Sequence, residues 1–200
     1  FVGSLITAIA AIIGLIQVLS SLFAVILSQP IFAGTQSPAM LSTGADTFEG
    51  FVILAFAGAL WFYYWIKNAN TKSGKTMWLL YVLVAGVGGS LVLGLISLTA
   101  TIYKLLVWFI GEPTTQVLGE YFEGAPTAAA SAIVGLLAWW YHKTLLPVES
   151  SRSETQRIYE YLVAAISLVA STVGISIVIV AIIDSLSRSW TRSSGESSII

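Results

Sequence analysis

The residue types best suited to chemistry gather in one short stretch, 135–146, GLLAWWYHKTLL. It holds Trp139, Trp140, Tyr141, Lys143 and His142, the single histidine of the chain. One imidazole can hold a haem or chlorophyll-type pigment through an axial bond, with tryptophans lining the pocket. A bis-histidine site within one chain is excluded, since no second imidazole exists. The competing reading is a polar-tipped ring where a helix leaves a membrane, because Trp and Tyr concentrate at membrane–water boundaries. At an offset of 80 residues the counterpart of His142 is Phe62, which ligates nothing. The sequence therefore favours anchoring for His142, Trp139, Trp140 and Tyr141, as for Trp61, Trp65 and Tyr161. His142 stays the one candidate cofactor ligand, and no cofactor is expected.

Ionisable groups inside a membrane mark function by default. The candidates are Lys104, Glu160 and Asp184. Glu160 can pair with Arg157. Lys104 and Asp184 share a position at the offset of 80 and are expected to form an interhelical ion pair, or Lys104 to snorkel toward headgroups. None lies near a predicted midplane, which disfavours a proton or ion pump. No histidine–carboxylate metal set and no phosphate-binding glycine loop is present. One histidine at a helix end also makes a Ser-His-acid arrangement a poor fit. Ser97, Thr99, Ser167 and Thr172 are expected to bond to backbone or to neighbouring helices. The acidic Asp46, Glu49, Glu120 and Glu123 read as a solvated face. No catalysis is expected.

Hydrophobic residues make up 56% of the chain and charged ones 10%, against about 25% charged in a soluble domain. Mean hydropathy is +0.88. Residues 1–45, 50–66, 76–103, 124–141 and 161–183 contain no Asp, Glu, Lys, Arg or His. A bilayer core needs about 20 apolar residues per helix, with about 17 as the lower end. Five spanning helices follow, near 1–28, 48–66, 76–110, 127–146 and 157–187, in an all-α transmembrane bundle. Pro30 and Pro113 are expected to end the first and third, since proline cannot continue the backbone ladder. Ser151 and Ser153 stand where they could cap the fifth. The first helix lacks a basic leader and is too long for a signal-peptide core. The absence of cysteine removes disulfides and thiolate sites, and a net charge of −1 removes a nucleic-acid footprint.

Six of the nine basic residues, Lys67, Lys72, Lys75, Lys143, Arg152 and Arg157, sit in or beside the second and fourth connections. The first and third connections carry only acids. Cytoplasmic loops collect Lys and Arg, so segments 67–75 and 143–157 are expected on the cytoplasmic side of the cell membrane, and the tail outside.

A gapless repeat appears at the same offset of 80. Residues 124–127 (GAPT) match 44–47 (GADT), Tyr161 matches Tyr81, and Gly14, Gly94 and Gly174 fall in register. The chain divides into 1–47, the second helix of a first unit with its outer loop, then 48–126 and 127–200, two helix pairs of parallel orientation. A partner helix is expected before Phe1. The small-xxx-small pairs Ala10/Gly14, Ser90/Gly94 and Ala170/Gly174 allow close backbone approach, and Gly86 and Gly89 add a second tight face.

The Trp139-Trp140-Tyr141-His142 helix end, a short basic loop, and Arg157-Ile158-Tyr159-Glu160-Tyr161-Leu162-Val163 opening a glycine-bearing helix resemble an uncharacterised bacterial membrane family of tandem two-helix units. The likeness is clearest over 132–186 and weaker over 52–106, where Trp61-Phe62-Tyr63-Tyr64-Trp65 replaces the motif and the arginine is lost. It implies a membrane fold and a bacterial source, and no activity. The expected function is a structural or accessory subunit that packs against lipid and other membrane subunits. The alternatives are a small-solute transporter or channel, and a pigment- or quinone-binding subunit of a respiratory or photosynthetic complex.

Overall fold

The computed structural model describes the backbone of residues 2–31, 39–69, 76–110, 118–146 and 154–196. All regular structure there is helical. Helix α1 spans Val2–Ile31 and α2 spans Ala39–Phe62, which continues as a π-helical segment, Tyr63–Ala69. A short α3, Thr76–Leu79, runs into a second π-helical segment, Leu80–Gly89, and on into α4, Ser90–Phe109. The single turn α5, Leu118–Tyr121, precedes α6, Ala125–Thr144, and α7, Glu154–Glu196. Expectations about Lys72, Lys75, Glu112, Pro113, Ser151, Arg152 and Ser153, and about the side chain of Asp184, lie outside the described residues.

Among the described residues four segments are long and apolar enough to cross a membrane: Val2–Ile26, Gly44–Lys67, Thr76–Phe109 and Gln156–Ile177. The fifth expected span, α6, falls short in hydropathy and not in length. Its 20 residues reach about 30 Å at about 1.5 Å per residue, but alanine opens it and Trp-Trp-Tyr-His-Lys closes it.

Three boundaries differ from expectation. Helix α1 passes through Pro30 to Ile31. Proline removes one ladder bond and crowds the turn before it, and at the penultimate helical residue only that last turn is affected. Helix α2 begins nine residues early, so Asp46 and Glu49 lie exposed on its first turns, not in a connection. A helix that an apolar span already nucleates propagates through polar residues and through a single glycine such as Gly44, whose cost is only about 1 kcal/mol. The third helix is interrupted by π-helical winding through the glycine-rich stretch ending at Gly89.

The chain forms two compact units, residues 1–158 and 159–200. In the first, α1 packs on α2, α4 on α6, and α1 also on α6. Both principal crossings are glycine on glycine. A methyl group on Gly14 would lie 2.6 Å from Leu54 N and 2.8 Å from Gly50 O, and one on Gly50 2.7 Å from Gln17 Cβ. One on Gly135 would lie 2.5 Å from Gly94 N and 2.9 Å from Ser90 O. In a membrane, apolar side chains would gain little by leaving lipid for protein, and close backbone approach of this kind would drive association. Gly14 and Gly94, 80 residues apart, each meet the next long helix in the chain, but through glycines 85 apart (Gly50 and Gly135). The hydroxyls of Thr7, Ser90 and Thr101 turn back to carbonyls of their own helices.

Helix α6 is entered through Gly124, whose φ of 75° is left-handed and open only to residues without a Cβ clash. Pro126 follows in the first turn, where a missing N–H costs no intrahelical bond. In the second unit, helix α7 carries an apolar stretch of which no residue is buried between 161 and 177, and nothing lies within 4 Å of a Cβ built on Gly174.

Candidate functional site: an aromatic–histidine cluster

The two π-helical segments and the end of α6 bring the chemistry-bearing rings together. Trp65 comes from the first segment, Tyr81 from the second, and Tyr141 and His142 from α6. Trp65 is fully buried and stacks on Tyr81, with centroids 4.4 Å apart and planes at 30°. Its indole N–H donates to Tyr141 Oη at 2.9 Å. Trp61 donates to Tyr81 Oη at 3.0 Å and meets Tyr141 edge-on at 5.9 Å. Two tryptophans of one helix end thus each hold a tyrosine hydroxyl from another element. Val82 and Trp78 complete the buried core of the cluster, and Leu5 of α1 packs against it.

His142 is 7% exposed. Its ring centroid lies 5.0 Å from Tyr141, 5.7 Å from Tyr81 and 6.5 Å from Trp65. Nδ1 lies 2.7 Å from the Ala138 carbonyl oxygen. That contact is a hydrogen bond only if Nδ1 carries the proton, which leaves Nε2 as a lone-pair acceptor. Nε2 is buried and has no partner. Gly86 covers this edge of the ring: a methyl there would sit 2.5 Å from His142 Cγ and 2.9 Å from Nε2. Gly86 is thus where the second segment needs glycine for close approach.

Several residues expected at a membrane boundary are packed within the protein. The polar edge of His142 is enclosed by protein. Trp65 belongs to the core, where Tyr141 satisfies its N–H. Trp61 and Tyr141 are half-buried and hydrogen-bonded within the cluster. Trp139 is also half-buried, with its indole N–H unpartnered and Lys143 Nζ 5.2 Å from its ring centroid. Trp140 and Tyr161 are the exposed rings, at 62% and 74%, and suit a lipid boundary.

The packing positions divide likewise. Gly14, Ser90 and Gly94 lie at backbone crossings and Gly86 under the imidazole, and Ala10 is half-buried on α1. Gly89 meets only the Val84 carbonyl at 3.8 Å, and Ala170 and Gly174 are exposed. Gly50, Gly135 and the hydrogen-bonding role of Tyr81 are not singled out by the sequence. The small-residue run Ala130, Ala132, Gly135 was the available signal for the α6 crossing.

At the other end of unit one, Lys104 Nζ donates to the carbonyls of Tyr121 at 3.0 Å and Glu123 at 2.6 Å. It serves as a cationic clasp on the turn after α5, whose carbonyls no helix satisfies. Trp108 packs over Tyr121 and Phe122 there. Arg157 pairs with Glu154 at 3.1 Å. Among the described residues no three His, Asp or Glu side chains converge on a possible metal position.

The one imidazole of the cluster presents its Nε2 edge to Gly86. The cluster's chemical content is one imidazole and two phenols whose oxygens each accept an indole N–H. Comparison with protein-family models, curated proteins and solved structures returned no match.

Proposed function

We propose that this chain is a non-catalytic integral membrane protein, an accessory subunit that packs against other membrane subunits and lipid. The observation that carries this reading is helix α7. Its segment Gln156–Ile177 is long and apolar enough to cross a membrane, and Ala170 and Gly174, four residues apart, place a small-residue pair on one of its faces. Such faces bring helix backbones into contact in lipid. The hydroxyls that a transport path would use instead bond within their own helices, Thr172 to Leu168 O and Ser176 to Thr172 O, both at 2.8 Å. In this reading the membrane is a bacterial cell membrane, with 67–75 and 143–157 cytoplasmic, and the units repeat in parallel.

The test is purification in a mild detergent, with identification of the chains that accompany the protein. A Gly174→Leu variant is expected to remain folded and to lose its companion. A wild-type protein that emerges alone and monodisperse would sink the proposal.

A further inference from the structure

We propose that the contact between His142 and Gly86 is a proton-sensitive latch, closed when the imidazole is neutral and opened by acid. This goes beyond the accessory role and does not rest on it.

The closed geometry leaves a second proton no place. Nδ1–H is committed to the Ala138 carbonyl, and Nε2 is buried against Gly86 without an acceptor. A protonated ring adds an N–H donor and a full charge, each costly in a buried site that offers no partner. The groups that face the ring offer none. From the first π-helical segment comes Trp65, a donor only, and from the second Tyr81; on α6 itself stands Tyr141, and neither tyrosine oxygen is hydrogen-bonded to Nε2. Helix α1 has no ionisable side chain. The α2 carboxylates, Asp46 and Glu49, lie at its opposite end, some 16 residues or about 24 Å before Trp65. On α4 Lys104 is held at the far turn, Lys143 lies over Trp139, and Lys67 over Tyr63. Glu154 is paired with Arg157. A proton therefore favours any arrangement in which Nε2 leaves Gly86 for water or headgroups.

The element under the ring is able to yield. Leu80–Gly89 is wound with π-helical bonding between two α-helical stretches, a winding that is rare and frequent at functional sites. Releasing the ring removes the contact that holds Gly86.

The experiment is hydrogen exchange on the full chain in lipid nanodiscs between about pH 8 and about pH 5, where an imidazole titrates, corrected for intrinsic exchange. Protection in 80–89 is expected to fall as pH falls, by up to about tenfold per pH unit for one linked proton. Protection around the Gly14–Gly50 crossing is expected to stay constant, which makes the wild type its own control. His142→Phe keeps a ring and removes the titration, so its 80–89 protection is expected to be flat. Gly86→Ala is expected to expose 80–89 at neutral pH. Unchanged wild-type protection, or an equal loss at both segments, would overturn the latch, whatever accompanies the protein on purification.

Discussion

Gly86 and His142 meet as a socket and its insert, and each constrains what the other can become. A methyl at Gly86 must displace the imidazole or the backbone. Gly86→Ala is therefore expected to cost about 1–3 kcal/mol, the usual range for overpacking, read as a lower unfolding midpoint in detergent with altered near-ultraviolet dichroism from the Trp65–Tyr81 stack. Trp65→Phe preserves most of the packing but strips Tyr141 of its donor. It is expected to cost about 1–3 kcal/mol for the group left unsatisfied, whereas Trp140→Phe, on the exposed side, should leave the midpoint within about 0.5 kcal/mol. Equal effects of the two tryptophan changes would contradict the placement of Trp65 in the core. The ring types and their position at a helix end were legible in the sequence. Their burial was not, because Trp65 and Tyr141 are 76 residues apart and only the approach of three elements joins them. An aromatic-rich helix end reads the same whether its rings face lipid or one another.

At the scale of the element, glycine decides where helices cross. Gly14→Leu and Gly135→Leu each drive a side chain into backbone atoms that cannot rotate aside. Both are expected to exceed the about 1–3 kcal/mol of ordinary overpacking and to abolish the folded state in a detergent unfolding assay. Gly89→Leu is expected to be tolerated far better, since only one carbonyl lies near. Charge-free runs located the long helices, and the offset of 80 singled out Gly14 and Gly94. The partner glycines escaped notice because a repeat aligns like with like, whereas a crossing joins unlike helices. The π-helical winding of Leu80–Gly89 had no sequence signal beyond its glycines.

At the scale of the whole molecule, charge asymmetry predicts a topology that chemistry can test. With 67–75 inside, Lys72→Cys is expected to resist a membrane-impermeant thiol reagent until cells are opened, while Glu112→Cys reacts in intact cells. The chain has no native cysteine to interfere. Labelling of the two in the opposite order would invert the orientation. The Lys104 clasp belongs to this scale too, because it ties the end of α4 to the turn before α6. Lys104→Met is expected to loosen that turn, seen as faster exchange at 121–124, and to leave the aromatic–histidine cluster at the other end intact.

Helix α7 has 43 residues, about 65 Å at about 1.5 Å per residue, whereas a bilayer's hydrocarbon core is about 30 Å thick. Half of this rod has no hydrocarbon to occupy. If the uncharged run 161–183 is seated in a bilayer core, residues 184–196 of the helix would continue for roughly 20 Å beyond it, a mast rather than a plug. In that placement the tip of α7 would stand clear of the headgroups.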